Sequence, residues 1–325
     1  MKQRYLGSLI LLIFLTSGCG SSRIALEPTR DPAVDANQTG MRQFALGEFH
    51  SAQRSFEKAL RLNRRIDNRR GEVTNLNNLG AVRLKQNDPE GALTYFEAAY
   101  RLEQRVSDPR AKSELLVNIG VAHEMRGESM KALETYRKAE VIARSADDRD
   151  GLRSALGRLG RLEVSLQDWN DAASHLNEAY RLDTEAQDER GMALRETDLG
   201  LMALKRNRPQ EAHALLSAAL QRHKRLKNAT GISRALQGLA RTAYVSGNLS
   251  GEEDYANRAF LSHRAAANTA ETIGDLLLLV RIQRKRGEFR KAGKTLNLAG
   301  DLLRRINRKD LKKEFEDLKQ GRKPE

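Results

Sequence analysis

The chain has 325 residues, of which 39% are apolar, 5% aromatic and 31% charged, with six prolines and one cysteine. These proportions exclude a collagen, a disulfide scaffold and a polytopic membrane protein, and they suit a helix-rich body packed by Ala and Leu. Lys and Arg number 57 against 43 Asp and Glu, a net of +14, which invites an anionic partner once the charge is located.

Lys2 and Arg4 precede residues 6–15, the run LGSLILLIFL, which is followed by Thr16, Ser17, Gly18 and Cys19. Ten residues cannot span a bilayer core, which needs about 20. A basic start, a short apolar centre and small residues before a cut form an export signal. The only cysteine stands directly after the small residues, and this arrangement resembles the bacterial lipoprotein signal, with Leu15 one position earlier than in that pattern. The resemblance implies a signal peptide over 1–18, acylation (palmitate) of Cys19, and a membrane attachment through the N-terminal lipid. With Gly20 rather than Asp next, it implies the outer membrane of a bacterial envelope, facing the periplasm. Residues 19–36, with Pro28 and Pro32, read as the lipidated N-terminus and a tether.

From there on the chain repeats every forty residues. Ala59, Ala99, Ala139, Ala179, Ala219, Ala259 and Ala299 form an unbroken column. Three residues before each stands Phe56, Phe96, Tyr136, Leu176, Leu216, Ala256 or Leu296, one apolar stripe at helical spacing. A second alanine column (Ala52, Ala92, Ala132, Ala172, Ala212, Ala292) is broken only by Glu252, and Gly40, Gly80, Gly120, Gly160 and Gly200 form a third column that continues as Ala240 and Val280. Asn68, Asp108, Asp148, Asp188, Asn228 and Asn268 are spaced as helix N-caps. Gly47, Asn87, Gly127, Asn207, Gly247 and Gly287 suit helix ends that turn left-handed, with Gln167 as the exception in residue type. The expectation is an all-α solenoid of about seven helical hairpins over 37–305, each pair burying its apolar face against the next. Residues 306–325 make a basic tail whose Leu311, Phe315 and Leu318 suit a capping helix.

Leu79-Gly80, Ile119-Gly120, Leu159-Gly160 and Leu199-Gly200, together with the Ala92, Phe96, Ala99 series, resemble the tetratricopeptide repeat family. The forty-residue period is similar to the longer-helix branch of that family, found in Pins-type scaffolds and bacterial peptide-sensing regulators. The resemblance implies that the first helix of each pair lines a concave groove. At 100° per residue, the positions six and three before the glycine and one and four after it share a face. On that face Val121, Arg161, Leu201, Leu204, Arg241, Tyr244 and Arg281 are the expected partner contacts. Asn78 and Asn118, one residue along, match positions that contact a peptide backbone in the family, whereas Arg158 and Asp198 stand there in later repeats.

No catalytic residue is assigned. The six histidines lack the spacing and cysteine partners of a zinc site, and the glycines follow the packing period rather than a phosphate loop. Neither a metal nor another cofactor is expected, nor is nucleic acid as a partner. From residue 281 onward there are 16 Lys and Arg against 7 Asp and Glu, a net of +9, so much of the charge sits at one end. The expected function is a lipid-anchored, non-enzymatic scaffold or adaptor. It would hold protein or peptide segments, acidic ones among them, for a bacterial envelope complex. The alternatives are a periplasmic binder of glycan or another anionic polymer through the basic end, and a cytoplasmic peptide-sensing regulator.

Overall fold

The computed structural model describes residues 31–247, 249–265, 268–306 and 308–321. The expected signal peptide over 1–18 and the acylated Cys19 lie outside the described residues. Fifteen helices and no strand occur among the described residues. They pair as α1 (Pro32–Ala45) with α2 (Phe49–Arg65), α3 (Arg69–Lys85) with α4 (Pro89–Val106), and α5 (Pro109–Met125) with α6 (Ser129–Ser145). Then follow α7 (Arg149–Leu166) with α8 (Trp169–Glu185), α9 (Glu189–Lys205) with α10 (Pro209–Arg225), α11 (Ala229–Ser246) with α12 (Leu249–Ala265), and α13 (Thr269–Lys285) with α14 (Phe289–Leu303). The last helix is α15 (Lys309–Lys319). The first begins at Pro32, within the stretch read from sequence as tether.

Local chemistry sets the helix ends. Asn68, Asp148 and Asn228 each accept a hydrogen bond at 3.1 Å from the amide three residues on, satisfying one of the free donors of a first turn. At the opposite breaks the chain turns left-handed, at Gly47, Asn87, Gly127, Gln167, Asn207, Gly247 and Gly287. Gln167 therefore departs from its column in residue type and not in conformation, with φ 65°.

Two helices of a pair meet through the columns seen in the sequence. A Cβ placed on Gly80 would come 2.3 Å from the Phe96 ring, and one on Gly120 would come 2.4 Å from Tyr136. Glycine is required because the large side chain of the second helix rests on the backbone of the first. Phe56, Phe96, Tyr136, Leu176 and Leu216 are fully buried this way, and each contributes roughly 1.5–3 kcal/mol of burial. Where the bulky residue becomes Ala256, its facing glycine is replaced by Ala240, and both are fully buried. Glu252, in the alanine column, is buried too, with Arg286 at 3.6 Å and Lys285 at 3.8 Å.

The pairs stack in one direction. Each odd-numbered helix from α1 to α13 packs backbone to backbone on the next odd-numbered one, whereas the even-numbered helices stand further apart and reach one another through long side chains, as Arg144 and Arg137 of α6 do to Glu178 and Asp171 of α8, and Lys291 of α14 to Glu253 of α12. The odd helices are therefore the crowded inner wall and the even helices the splayed outer wall. At the C-terminal end α15 covers α13 and α14, burying Leu311 and Leu318 and laying Phe315 over Gly300.

Candidate partner-binding groove

An inner helix is backed by its outer partner and flanked by inner neighbours, so only a narrow arc faces the concave side. Along α7 that arc is Asp150, Ser154, Arg158, Arg161 and Ser165, and along α5 it is Arg110, Glu114, Asn118, Val121 and Met125. These positions lie ten, six and two before the repeat glycine and one and five after it, a single stripe at helical spacing. The sequence placed the face slightly off this stripe. The position three before the glycine (Asn77, Val117, Gly157, Thr197, Gln237, Leu277) is buried from α3 to α13, because adjoining inner helices close over it.

The expected contact residues fall into two groups. Several are engaged within the fold. Asn78 Nδ2 donates to Asn37 Oδ1 at 2.9 Å, and Asn118 Nδ2 donates to Asn77 Oδ1 at 2.8 Å, so both amides link repeats. Val121, Leu201 and Leu204 are partly buried against inter-repeat clusters and leave only an edge in the groove. Tyr244 carries the Lys285 ammonium 4.4 Å from its ring centre, and its carbonyl accepts from the same ammonium at 2.9 Å. Arg281 pairs with Glu314 of α15 at 3.0 Å. The two that remain are Arg161, half-buried on the stripe, and Arg241, exposed on it, neither with a carboxylate in ion-pair range among the described residues.

The sequence reading set aside Arg158 and did not reach Arg195. Gly157 is the smallest residue in a column otherwise filled by larger side chains, and a Cβ there would lie 1.5 Å from Arg195 Nη1. The space left by Gly157 thus admits a guanidinium from α9 beside Arg158. Arg195 Nε lies 3.6 Å from Asp183, while its Nε and Nη1 are buried without a hydrogen bond. Burial lowers the Arg158 pKa from the ordinary arginine value, and the neighbouring charge of Arg161 adds to the effect. Below them Tyr136 Oη donates to Glu124 at 2.8 Å, and burial, with Glu124 second, pushes the Tyr136 pKa far up. The arrangement is a cationic stretch of inner wall. The signal that marks it in sequence is the change from Asn78 and Asn118 to Arg158, combined with the glycine gap at 157. No group of His, Cys, Asp and Glu able to hold a metal occurs among the described residues.

The tetratricopeptide repeat model matches residues 40–105 and 112–185. The repeats over those residues are tetratricopeptide repeats. No curated protein matches it in sequence. Among solved structures, BtubC from P. vanneervenii is similar, with 21% identity over 70% of this chain and 92% of that one, at a TM-score of 0.57. Aspartyl phosphate phosphatase F from Bacillus subtilis has 14% identity over 83% and 70% of the two chains, at 0.66. A Rap protein complexed with competence and sporulation factor has 13% identity over 87% and 76%, at 0.67. At such identities the likeness is one of fold, and it extends the repeat architecture beyond the residues that the family model matches.

Proposed function

We propose that the protein is a non-enzymatic scaffold whose repeats hold an extended segment of another protein along the inner wall, with negative groups of that segment against Arg158 and Arg161. The observation that carries the reading is the pair of arginines on the open stripe of α7 with no carboxylate in ion-pair range among the described residues. Like charges in a partly desolvated wall repel each other, and a paired oxyanion offsets both the repulsion and the lost hydration. Neighbours of the same fold include a Rap protein in complex with a competence and sporulation factor, which makes a peptide-sensing regulator the second reading. A further part of the proposal is attachment to a bacterial outer membrane through acylated Cys19, supported by Lys2, Arg4 and the apolar run over 6–15.

Affinity capture of the intact protein from membranes, followed by mass spectrometry, tests the groove. Arg161→Glu is expected to keep helicity and melting while losing the captured segment; unchanged capture sinks the groove assignment. Cys19→Ala tests the attachment separately. It should leave the protein unprocessed or move it out of the membrane fraction, and a variant that is processed and fractionates like the parent removes the lipid anchor from the reading.

A further inference from the structure

The basic C-terminal end has a defined surface. On α14, Arg290, Lys294, Asn297, Asp301 and Arg304 follow one another at helical spacing and are exposed. Across an open cleft of about 840 Å³ between the helices, floored by Gly300, Leu303 and Phe315, stand Lys312, Glu316 and Lys319 of α15. Two of the cations on this surface are offset, since Arg304 pairs with Asp301 and Lys319 lies 3.9 Å from Glu316. Arg290, Lys294 and Lys312 have no carboxylate in ion-pair range among the described residues. The stripe also has apolar edges. Phe289 is 70% exposed on one side of it and Leu298 is 44% exposed on the other.

We infer that this outer face of α14, with Lys312 beside it, docks on an anionic lipid surface. Unpaired cations alone fit any polyanion, but the exposed Phe289 and Leu298 gain nothing from a hydrated polymer. Against a bilayer the same residues enter the headgroup boundary while Arg290, Lys294 and Lys312 meet lipid phosphates, the arrangement by which amphipathic surfaces hold to membranes. The docking face lies on the outer wall, and the concave stripe on the inner wall, so lipid contact leaves the groove open. It is independent of the acyl attachment proposed at the other end of the chain.

Sedimentation of the full chain with phosphatidylcholine vesicles, alone or mixed with phosphatidylglycerol, tests this. The measured quantity is the excess bound to the anionic vesicles, which cancels any contribution of the apolar run over 6–15. Arg290→Glu with Lys294→Glu should lower that excess on the order of tenfold or more. Arg54→Glu with Lys58→Glu, the same change of charge on exposed positions of α2, should leave it unchanged. Phe289→Ser, at a site too exposed to disturb folding, should reduce the binding that survives added salt. The inference is overturned if the parent shows no preference for phosphatidylglycerol, if the α14 reversal binds like the parent, or if the parent is held by heparin but not by the anionic vesicles.

Discussion

Arg281 Nη2 lies 3.0 Å from Glu314 Oε1, so a cation on the inner stripe of α13 is spent on holding the terminal helix. From sequence, Arg281 was expected beside Arg241 as a second groove cation. Arg281→Glu instead sets two carboxylates together and should loosen α15 by about 0.5–1 kcal/mol, the range of a partly exposed pair. Hydrogen exchange in α15 should speed up and should recover when Glu314→Arg is added. Exchange that is identical in all three proteins means the pair contributes nothing.

Ala139 is fully buried between outer and inner helices of the third pair. Ala139→Phe should overpack that contact and cost about 1–3 kcal/mol. Because the pairs are held by their neighbours alone, melting should lose cooperativity as well as temperature. An unshifted, equally steep melt would mean the wall absorbs the ring without strain.

Gln167 ends α7 with φ 65° and ψ 21°, a conformation that a side chain disfavours and that glycine adopts at the same break in four other repeats. Gln167→Gly should therefore stabilise the protein by about 0.5–1 kcal/mol, after the extra freedom of glycine in the unfolded chain is set against the relieved strain. Denaturant titration measures it, and a lower midpoint for the variant contradicts the argument.

His175 Nδ1 lies 2.7 Å from Glu163 Oε2, and this hydrogen bond raises the imidazole pKa above its ordinary value, against a smaller opposing effect of burial. A raised pKa in the folded state means that the contribution is full below the unfolded value, about 6.5, and is lost as pH rises through the folded value. His223 is the opposite case, since burial lowers its pKa and its contribution is lost as pH falls from about 6.5 through the folded value. His175→Gln should therefore abolish the loss of stability that sets in as pH rises above about 6.5 and leave the loss on the acid side. Parallel melting profiles for parent and variant across this range would remove His175 from the account.

The helix order was legible because the features that fix it are local. Asp148 caps α7 with its own oxygen, and Gly120 faces Tyr136 only 16 positions away, so period and residue type suffice. The groove was less legible, because what is left open depends on how far neighbouring pairs close over each helix. Asn118 has the residue type of a ligand contact, yet its amide is taken by Asn77, 41 positions upstream. Arg195 stands off the stripe in sequence and reaches it only through the space at Gly157. The fate of Arg281 turns on a helix outside the repeat, about which the repeat pattern carries no information.

The outer helices are joined by exposed side chains rather than by close backbone packing, as in Arg144 with Glu178 and Lys291 with Glu253, and this gives the molecule a mechanical property. Bending about the inner wall changes the spacing of the outer row mainly at the cost of exposed ion pairs, each worth roughly 0–1 kcal/mol, so the superhelix is a coil spring with one stiff edge. Tension or occupancy along the inner edge is then converted into a change of curvature, summed over seven pairs and largest at the two ends.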